Sequence, residues 1–226
     1  MVRPIGGGMD KKDFPGSSFL GAARRGYHHG RLKDALVEAG RMLLAERGSA
    51  GFTLAEAAKR VGVTAAAPYR HFPDRNALMA ELARQGFVTF GQRLSSAWDN
   101  GRPNALEALA RMGHAYLAFA REEPGLYTAM FENVGALAEP ESGAAADKAL
   151  AILRQAAAAV LVEAGGRPDN ARKLAFEIWS LSHGVAMLAS GGHLDPRNPG
   201  CDPAQILAGG VRGMVAENIR ATGGRS

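Results

Sequence analysis

The sequence predicts an all-α fold, in which an N-terminal domain of three helices is followed by a larger helical C-terminal domain. Apolar residues recur at intervals of three and four along most of the 226 residues, which is the spacing of one helix face. Alternating runs of Val, Ile and Thr, which are typical of strands, are missing. Hydrophobic residues make up 46% of the chain, so it can bury a sizeable core.

The N-terminal part is predicted to be a tail followed by one helix. Residues 1–23 are rich in Gly, Pro and Ser and are predicted to be flexible. The first helix is predicted from Gly30 to Arg47, and Gly48 is predicted to end it. Its apolar residues lie four, three and four positions apart, at Leu32, Leu36, Ala39 and Leu43.

Two short helices joined by a tight turn are predicted next. Thr53 and Glu56 have the spacing of a capping box, in which each side chain satisfies an unpaired amide. Gly62 is predicted to end this helix in a left-handed conformation, which costs glycine almost nothing. Thr64 is predicted to cap a second helix over Ala65–Phe72. Two helices with a Gly-containing turn between them are typical of a helix-turn-helix that binds DNA.

The rest of the chain is predicted to be helical as well. Asp74 is predicted to cap a long helix that ends near Asn100 and presents Leu78, Leu82, Phe87, Phe90 and Leu94 on its apolar side. Gly- and Pro-containing breaks separate the further helices, which are predicted over residues 104–121, 124–131, 144–164, 169–190 and 203–221. No apolar stretch of about 18 residues is free of charge, so no membrane-spanning helix is predicted.

The positive charge of the chain is concentrated around the helix-turn-helix. Residues 24–75 contain ten Lys and Arg against five Asp and Glu, whereas residues 76–226 contain 14 against 15. A protein that contacts phosphates with one end is expected to show this asymmetry. Charge alone would fit a basic solvated face equally well, but its coincidence with the motif favours DNA binding.

From Thr53 to Leu78 the sequence resembles the DNA-binding domain of the TetR family of transcriptional regulators. The matching positions are Thr53, Gly62-Val63-Thr64, Tyr69-Arg70-His71-Phe72, Arg75 and Leu78. The segment RRGYHHGRLKDAL, residues 24–36, resembles the lead-in of one branch of that family, so the match covers about 55 residues closely. The resemblance implies a helix-turn-helix domain over residues 24–75 and a ligand-binding and dimerisation domain over residues 76–226.

The second motif helix is predicted to read the base edges. Helical spacing turns Pro68 and Phe72 inward and leaves Ala65, Ala66, Tyr69 and Arg70 on the outward side. The two alanines allow close approach and could contact thymine methyl groups, which leaves Arg70 as the best candidate for a guanine. The resemblance implies that Tyr69, His71 and Arg75 hold phosphates.

Four further residues are candidates for contacts outside the base edges. They are Thr53 and Thr64, through hydroxyl or helix N-terminal amide groups, and Arg24 and Arg25, as an arm that reaches an adjacent groove. Alternatives stay open for several candidates. Tyr69 could pack between helices, His71 could cap a neighbour, and Arg24 and Arg25 could be solvent-exposed charges.

The resemblance also implies a small-molecule effector, of unknown identity, that binds within residues 76–226. The segment Glu177–Gly192 resembles a Trp-x-x-x-His-Gly segment of one C-terminal subclass of the family. The candidates for the pocket are aromatic, Met and His side chains: Tyr116, Phe119, Tyr127, Met130, Phe131, Trp179 and His183. Each of them could instead belong to the ordinary core.

The last two helices are predicted to form a homodimer interface. Two apolar stripes follow the helix at 169–190, one at Leu174, Ile178, Leu181, Val185 and Leu188 and the other at Phe176, Trp179, His183 and Met187. A helix that is apolar on nearly all sides is buried on more than one side. The resemblance implies that this helix and the next pair with their copies in a four-helix bundle. Burial inside a monomer is the alternative.

The sequence therefore predicts a cytoplasmic, sequence-specific DNA-binding regulator, and the resemblance implies that it is a repressor that a small molecule releases from a palindromic DNA operator. Nucleophile-elbow, phosphate-loop and metalloprotease motifs are absent, so no enzyme, metal or cofactor is predicted. The single cysteine, Cys201, permits no internal disulfide and fits a reducing compartment. A non-specific, nucleoid-type DNA-binding protein is the main alternative, and an all-α ligand-binding enzyme is a weaker one.

Overall fold

The computed structural model describes residues 29–132, 135 and 138–223, and its regular secondary structure is helical. The predicted tail and the candidates Arg24 and Arg25 lie outside these residues. The described part contains eight α-helices: α1 (His29–Arg47), α2 (Leu54–Val61), α3 (Arg75–Trp98), α4 (Ala105–Glu122), α5 (Pro124–Phe131), α6 (Pro140–Glu163), α7 (Ala171–Ser190) and α8 (Pro203–Gly223). The all-α prediction is confirmed.

Three predicted helix ends around the motif, at Thr53, Gly62 and Asp74, are confirmed. The Glu56 N–H donates to Thr53 Oγ1 over 3.1 Å, and the Ala77 N–H donates to the Asp74 carboxylate over 2.8 Å. Gly62 is left-handed, with φ of 80°. The capping box is only half formed, because the Glu56 carboxylate accepts from Arg47, 2.6 Å away, and from the Thr53 hydroxyl.

The second motif helix is shorter and tighter than the predicted α-helix over Ala65–Phe72. Only Ala67–Arg70 is helical, as a 3₁₀ turn that we call the recognition segment. Pro68 has no N–H to donate to the Thr64 carbonyl, so the α-helical ladder cannot start there. The Ala67 N–H donates to that carbonyl instead, over 3.0 Å, and no Thr64 side-chain cap forms.

Helix α6 begins four residues earlier than predicted. The loop prediction relied on Pro140 as a helix breaker, but Pro140 occupies the first helical turn. Proline is tolerated there, since the N–H it lacks would have no helical partner. The early start adds Ser142 to the buried face of α6.

The motif packs on the first turns of α3, and the core then continues into the rest of the molecule. Leu36 and Leu44 of α1 are fully buried, as are Phe52 before α2 and Leu78 and Met79 of α3. These residues belong to the same cluster of buried side chains as the apolar residues of α4 to α8. The predicted domain boundary after residue 75 coincides with the start of α3, so one continuous helix connects the two parts.

Helices α7 and α8 pack together and leave one apolar face in solvent. Leu174, Ile178 and Val185 of α7 are buried, whereas Phe176, Met187 and Leu188 are 37%, 46% and 48% exposed. Leu188 is therefore exposed, although it was predicted on the same stripe as the three buried residues. Gly184 of α7 and Gly213 of α8 are exposed as well, and an added Cβ at either position would meet nothing within 4 Å. No helix in the described ranges is long and apolar enough to cross a membrane.

Candidate nucleic-acid interface and interior cavity

The recognition segment presents the predicted residues to solvent. Ala65, Ala66 and Arg70 are exposed. Tyr69 is 60% exposed, which argues against the alternative that Tyr69 packs between helices. Pro68 and Phe72 are buried, as helical spacing predicts. The Arg70 guanidinium has no hydrogen bond or ion pair to any described residue, so it is available to a ligand outside the protein.

Three other described arginines of residues 24–75 form ion pairs with carboxylates. Arg41 contacts Glu38 at 2.7 Å and Glu123 at 2.9 Å. Arg47 contacts Glu56, and Arg60 contacts Glu46, each at 2.6 Å. Fewer cations are therefore free to contact phosphates at the surface than the charge count of residues 24–75 indicates.

Lys59 is an exposed cation that the sequence analysis did not single out. It lies in the last turn of α2 and, among the described residues, has no carboxylate partner. Glu56, one turn earlier, would be its natural partner, but Glu56 accepts from Arg47. The pairing of Arg47 with Glu56 brings together residues nine positions apart on two helices, which no helical pattern in the sequence reports.

The other residues predicted to contact DNA differ in how many of their polar atoms already form hydrogen bonds within the protein. Arg75 Nε donates to the Phe52 carbonyl over 3.0 Å, and its Nη2 donates to the Ser49 carbonyl over 2.6 Å. The Thr53 hydroxyl is engaged with Glu56. The Nε2 atom of His71 is buried without a hydrogen-bond partner, so the structure shows no capping contact from that nitrogen.

A cavity of about 370 Å³ lies within the C-terminal helices. Four of the seven predicted residues line it: Tyr116, Met130, Phe131 and Trp179. Phe119 does not, since it is fully buried against Phe90, with a ring-centroid distance of 5.2 Å, and under the Arg93 guanidinium. Tyr127 and His183 do not line the cavity either and lie next to its aromatic wall.

A row of hydrogen bonds connects this wall. The Tyr116 and Tyr127 hydroxyls are 3.4 Å apart, and the Tyr127 hydroxyl is 2.7 Å from His183 Nδ1. Burial raises the pKa of Tyr127 to about 12 and that of Tyr116 further still. Burial also lowers the pKa of His183. His183 is therefore neutral at pH 7, as are both tyrosines, and the row carries no charge.

Much of the cavity lining was not predicted from the sequence. Phe87, Phe90 and Leu94 of α3 were predicted to form an apolar stripe but not part of a pocket, and Asp147, Leu150 and Leu153 of α6 were not among the candidates. The stripe was visible as helical spacing, but no local pattern indicates which stripe borders empty space. In the described ranges, no group of three or more His, Cys, Asp or Glu side chains could hold a metal ion.

Two family models match the chain. The model "Bacterial regulatory proteins, tetR family" matches residues 36–82, and the model "Tetracyclin repressor-like, C-terminal domain" matches residues 109–214. The first covers most of α1, all of α2 and the recognition segment, and the start of α3. The second covers most of α4 through α8, including all of the cavity-lining residues outside α3.

Curated relatives match over about half of their own length. The nucleoid occlusion factor SlmA of Vibrio campbellii is 32% identical over 112 residues, which cover 46% of this chain and 55% of that protein. The uncharacterized HTH-type transcriptional regulator YobS of Bacillus subtilis is 33% identical over 101 residues, covering 44% and 51%.

Solved structures match over most of the chain. A protein of unknown function from Rhodococcus sp. RHA1 superposes with a TM-score of 0.71 at 26% identity, covering 86% of this chain and 99% of that one. The TetR-like regulator LfrR of Mycobacterium smegmatis, solved in complex with proflavine, superposes with a TM-score of 0.58 at 18% identity, covering 84% and 97%. At this identity, the second likeness shows the fold alone.

Proposed function

The chain belongs to the TetR family of bacterial regulatory proteins, and we propose that this DNA-binding regulator is a repressor that a small molecule releases from a palindromic operator. The observation that carries the proposal is the interior cavity, because its walls belong to helices that also pack against the DNA-reading part. Phe87 and Phe90 of α3 line the cavity, and α3 begins at Arg75, five residues after the recognition segment.

The homodimer is proposed to form through α7 and α8. Their exposed face combines the apolar side chains of Phe176, Met187 and Leu188 with the open glycines Gly184 and Gly213. Small residues let helix backbones approach closely, and large apolar residues gain from burial between subunits. A two-fold dimer presents two identical reading surfaces, which is why a palindromic operator is expected.

Base reading is assigned to Arg70, with Ala65 and Ala66 approaching the bases closely. Tyr69 and His71 are proposed to hold phosphates, with Thr53, Thr64 and the arm residues Arg24 and Arg25 as further backbone contacts. Arg75 keeps Nη1 available for a phosphate while Nε and Nη2 donate to carbonyls. Lys59 is added to the phosphate contacts because it is exposed and has no described carboxylate partner.

Effector binding is proposed to act on DNA affinity through α5 as well as α3. Met130 and Phe131 of α5 line the cavity, and the other end of α5 packs against α1. At Gly125, a Cβ would overlap the Arg41 carbonyl oxygen, so the two backbones are in close contact. For release, the effector must prefer the conformation that does not bind DNA, and DNA then weakens effector binding by the same factor.

The experiment that tests this function is selection of the purified protein against a random duplex DNA pool at near-physiological salt. We expect enrichment of one inverted repeat, whose half-site spacing reports the dimer geometry. Recovery of unenriched sequence, with binding that falls steeply as salt rises, would contradict the proposal. That result would favour the non-specific DNA-binding alternative.

A further inference from the structure

The cavity is built mainly of aromatic and aliphatic side chains. Five aromatic residues line it, which are Phe87, Phe90, Tyr116, Phe131 and Trp179. Phe131 lies within this group, with ring centroids 5.9 Å from Phe87 and 6.3 Å from Trp179. The faces of aromatic rings carry negative partial charge, so a cavity with this lining attracts cations as well as apolar groups.

The hydroxyl groups of the cavity wall are already engaged. The Ser182 hydroxyl donates to the Ile178 carbonyl over 2.7 Å. The Tyr116 hydroxyl belongs to the row of hydrogen bonds that ends at His183. No Lys, Arg or His is among the lining residues in the described part of the chain. An anionic ligand would therefore lose its hydration without gaining a counter-charge.

Asp147 is the charged side chain that lines the cavity. It is exposed, which places its carboxylate at the rim, and Ala146 and Leu150 beside it on α6 also line the cavity. Its carboxylate has no hydrogen bond or ion pair to any described residue. Other carboxylates of the C-terminal helices are engaged, such as Glu122 with Arg93 at 2.6 Å and Glu177 with Lys173 at 2.6 Å.

From these three observations we infer that the effector is an apolar molecule with a single positive charge, in which the apolar body lies against the aromatic rings and the cation lies near Asp147. The inference rests on the proposed effector role of the cavity. It names the chemical class of the ligand: a lipophilic organic cation, such as a quaternary ammonium or phosphonium ion with aromatic substituents.

The first test compares two ions of matched shape and opposite charge, tetraphenylphosphonium and tetraphenylborate. Binding of each to the full chain is measured by isothermal titration calorimetry without DNA. The phosphonium ion is expected to bind with a Kd at or below roughly 100 µM and at least about tenfold more tightly than the borate ion. Equal or tighter binding of the borate ion, or binding of neither ion, would overturn the inference.

The second test assigns the charge preference to Asp147. The variant Asp147→Asn is expected to weaken phosphonium binding by roughly three- to tenfold, because a solvent-exposed carboxylate is partly screened. The matched control is Glu141→Gln, which removes a carboxylate of the same helix that borders a different groove, between α3 and α6. An equal loss in both variants would show only a long-range effect of net charge and would overturn the role of Asp147.

The third test measures how much the aromatic rings of the cavity wall contribute to cation binding. Phe131→Leu keeps an apolar side chain of similar reach and removes a ring, and we expect phosphonium affinity to fall by about three- to tenfold. Tetraphenylborate affinity is expected to change by less than about twofold. A parallel loss for both ions would mean that shape alone had changed. These results are independent of the DNA selection. Enrichment of a specific operator without cation binding would contradict this inference alone. Cation binding without a specific operator would contradict the proposed function alone.

Discussion

At the residue scale, the arginines of the DNA-reading part have different tasks that depend on their partners. Arg41, Arg47 and Arg60 form ion pairs with carboxylates, and Arg75 donates to two backbone carbonyls. Arg70 makes neither kind of contact with the described residues. Its freedom agrees with the prediction that Arg70 reads a base.

The first prediction separates base reading from phosphate contact. Arg70→Ala is expected to cost about 1–3 kcal/mol of binding free energy on the operator and to relax preference at one position per half-site. Lys59→Ala is expected to weaken all sequences equally and to lower the salt slope by about one per bound subunit. Fluorescence anisotropy on matched and mismatched duplexes measures both. Arg47→Ala, which removes an ion-paired cation, is expected to change affinity less than Lys59→Ala does.

Arg75 carries the second prediction, which concerns stability. Arg75→Ala removes two charge-assisted hydrogen bonds to carbonyls and a contact over the Phe52 ring, so the free energy of unfolding should fall by about 1–3 kcal/mol. Urea denaturation followed by circular dichroism measures it. Lys59→Ala is the control and should leave stability within about 0.5 kcal/mol. Unchanged stability in Arg75→Ala would mean that these bonds contribute nothing net.

His183 leads to a third prediction, on pH. Its pKa is lowered by burial in the folded state, so the unfolded chain binds more protons between the folded pKa and the unfolded value near 6.5. The stability from this residue is fully present above about pH 6.5 and is lost as the pH falls through the folded pKa. Urea denaturation of the wild type and His183→Asn from pH 7.5 to 5 should show a smaller decrease in the variant. Parallel curves would exclude a contribution from His183.

At the element scale, two helices differ from their predicted form because of one proline each. Pro68 in the recognition segment removes a backbone donor and leaves a 3₁₀ turn, whereas Pro140 sits in the first turn of α6, where no donor is needed. The same residue type therefore shortened one element and began another. Pro68 is the fourth residue of the predicted helix, where a backbone donor is needed, whereas Pro140 begins α6, where none is needed.

Helix α5 carries the fourth prediction. Gly125→Ala should lower the free energy of unfolding by about 1–3 kcal/mol, because the new Cβ would overlap the Arg41 carbonyl and push α5 away from α1. Thr128→Ala, a half-buried position on the same helix, is the control and should cost less than about 1 kcal/mol. If α5 transmits effector binding, Gly125→Ala should also reduce the effect of effector on operator affinity. Full retention of that effect would assign transmission to α3 alone.

At the scale of the whole molecule, α7 leaves three large apolar side chains exposed among the residues that the structure describes. Partial exposure of Phe176, Met187 and Leu188 argues against the alternative that these helices are buried inside a monomer. Apolar area of this kind is expected to be covered by a partner. A second copy satisfies both this face and the two-fold symmetry of a palindromic operator.

The fifth prediction tests that face. Gly184→Leu adds a side chain where the chain itself leaves open space, so the subunit should still fold. If Gly184 faces its copy, light scattering should show a shift from dimer to monomer, and operator affinity should fall at least about tenfold because two half-sites are no longer bound together. Ala151→Leu, at an exposed position of α6, is the control. An unchanged dimer in Gly184→Leu would remove this face from the interface.

The helices, most of their caps and the outward side of the recognition segment were predictable from the sequence, because each depends on residues within about one or two helical turns. The partners of the arginines were not, since Arg47, Arg60 and Arg41 reach carboxylates nine, 14 and 82 positions away. The cavity and the position of Asp147 at its rim could not be predicted from the sequence either. They depend on how α3, α4, α6 and α7 pack, and helical spacing identifies an apolar face without showing whether that face meets a neighbour or an empty volume.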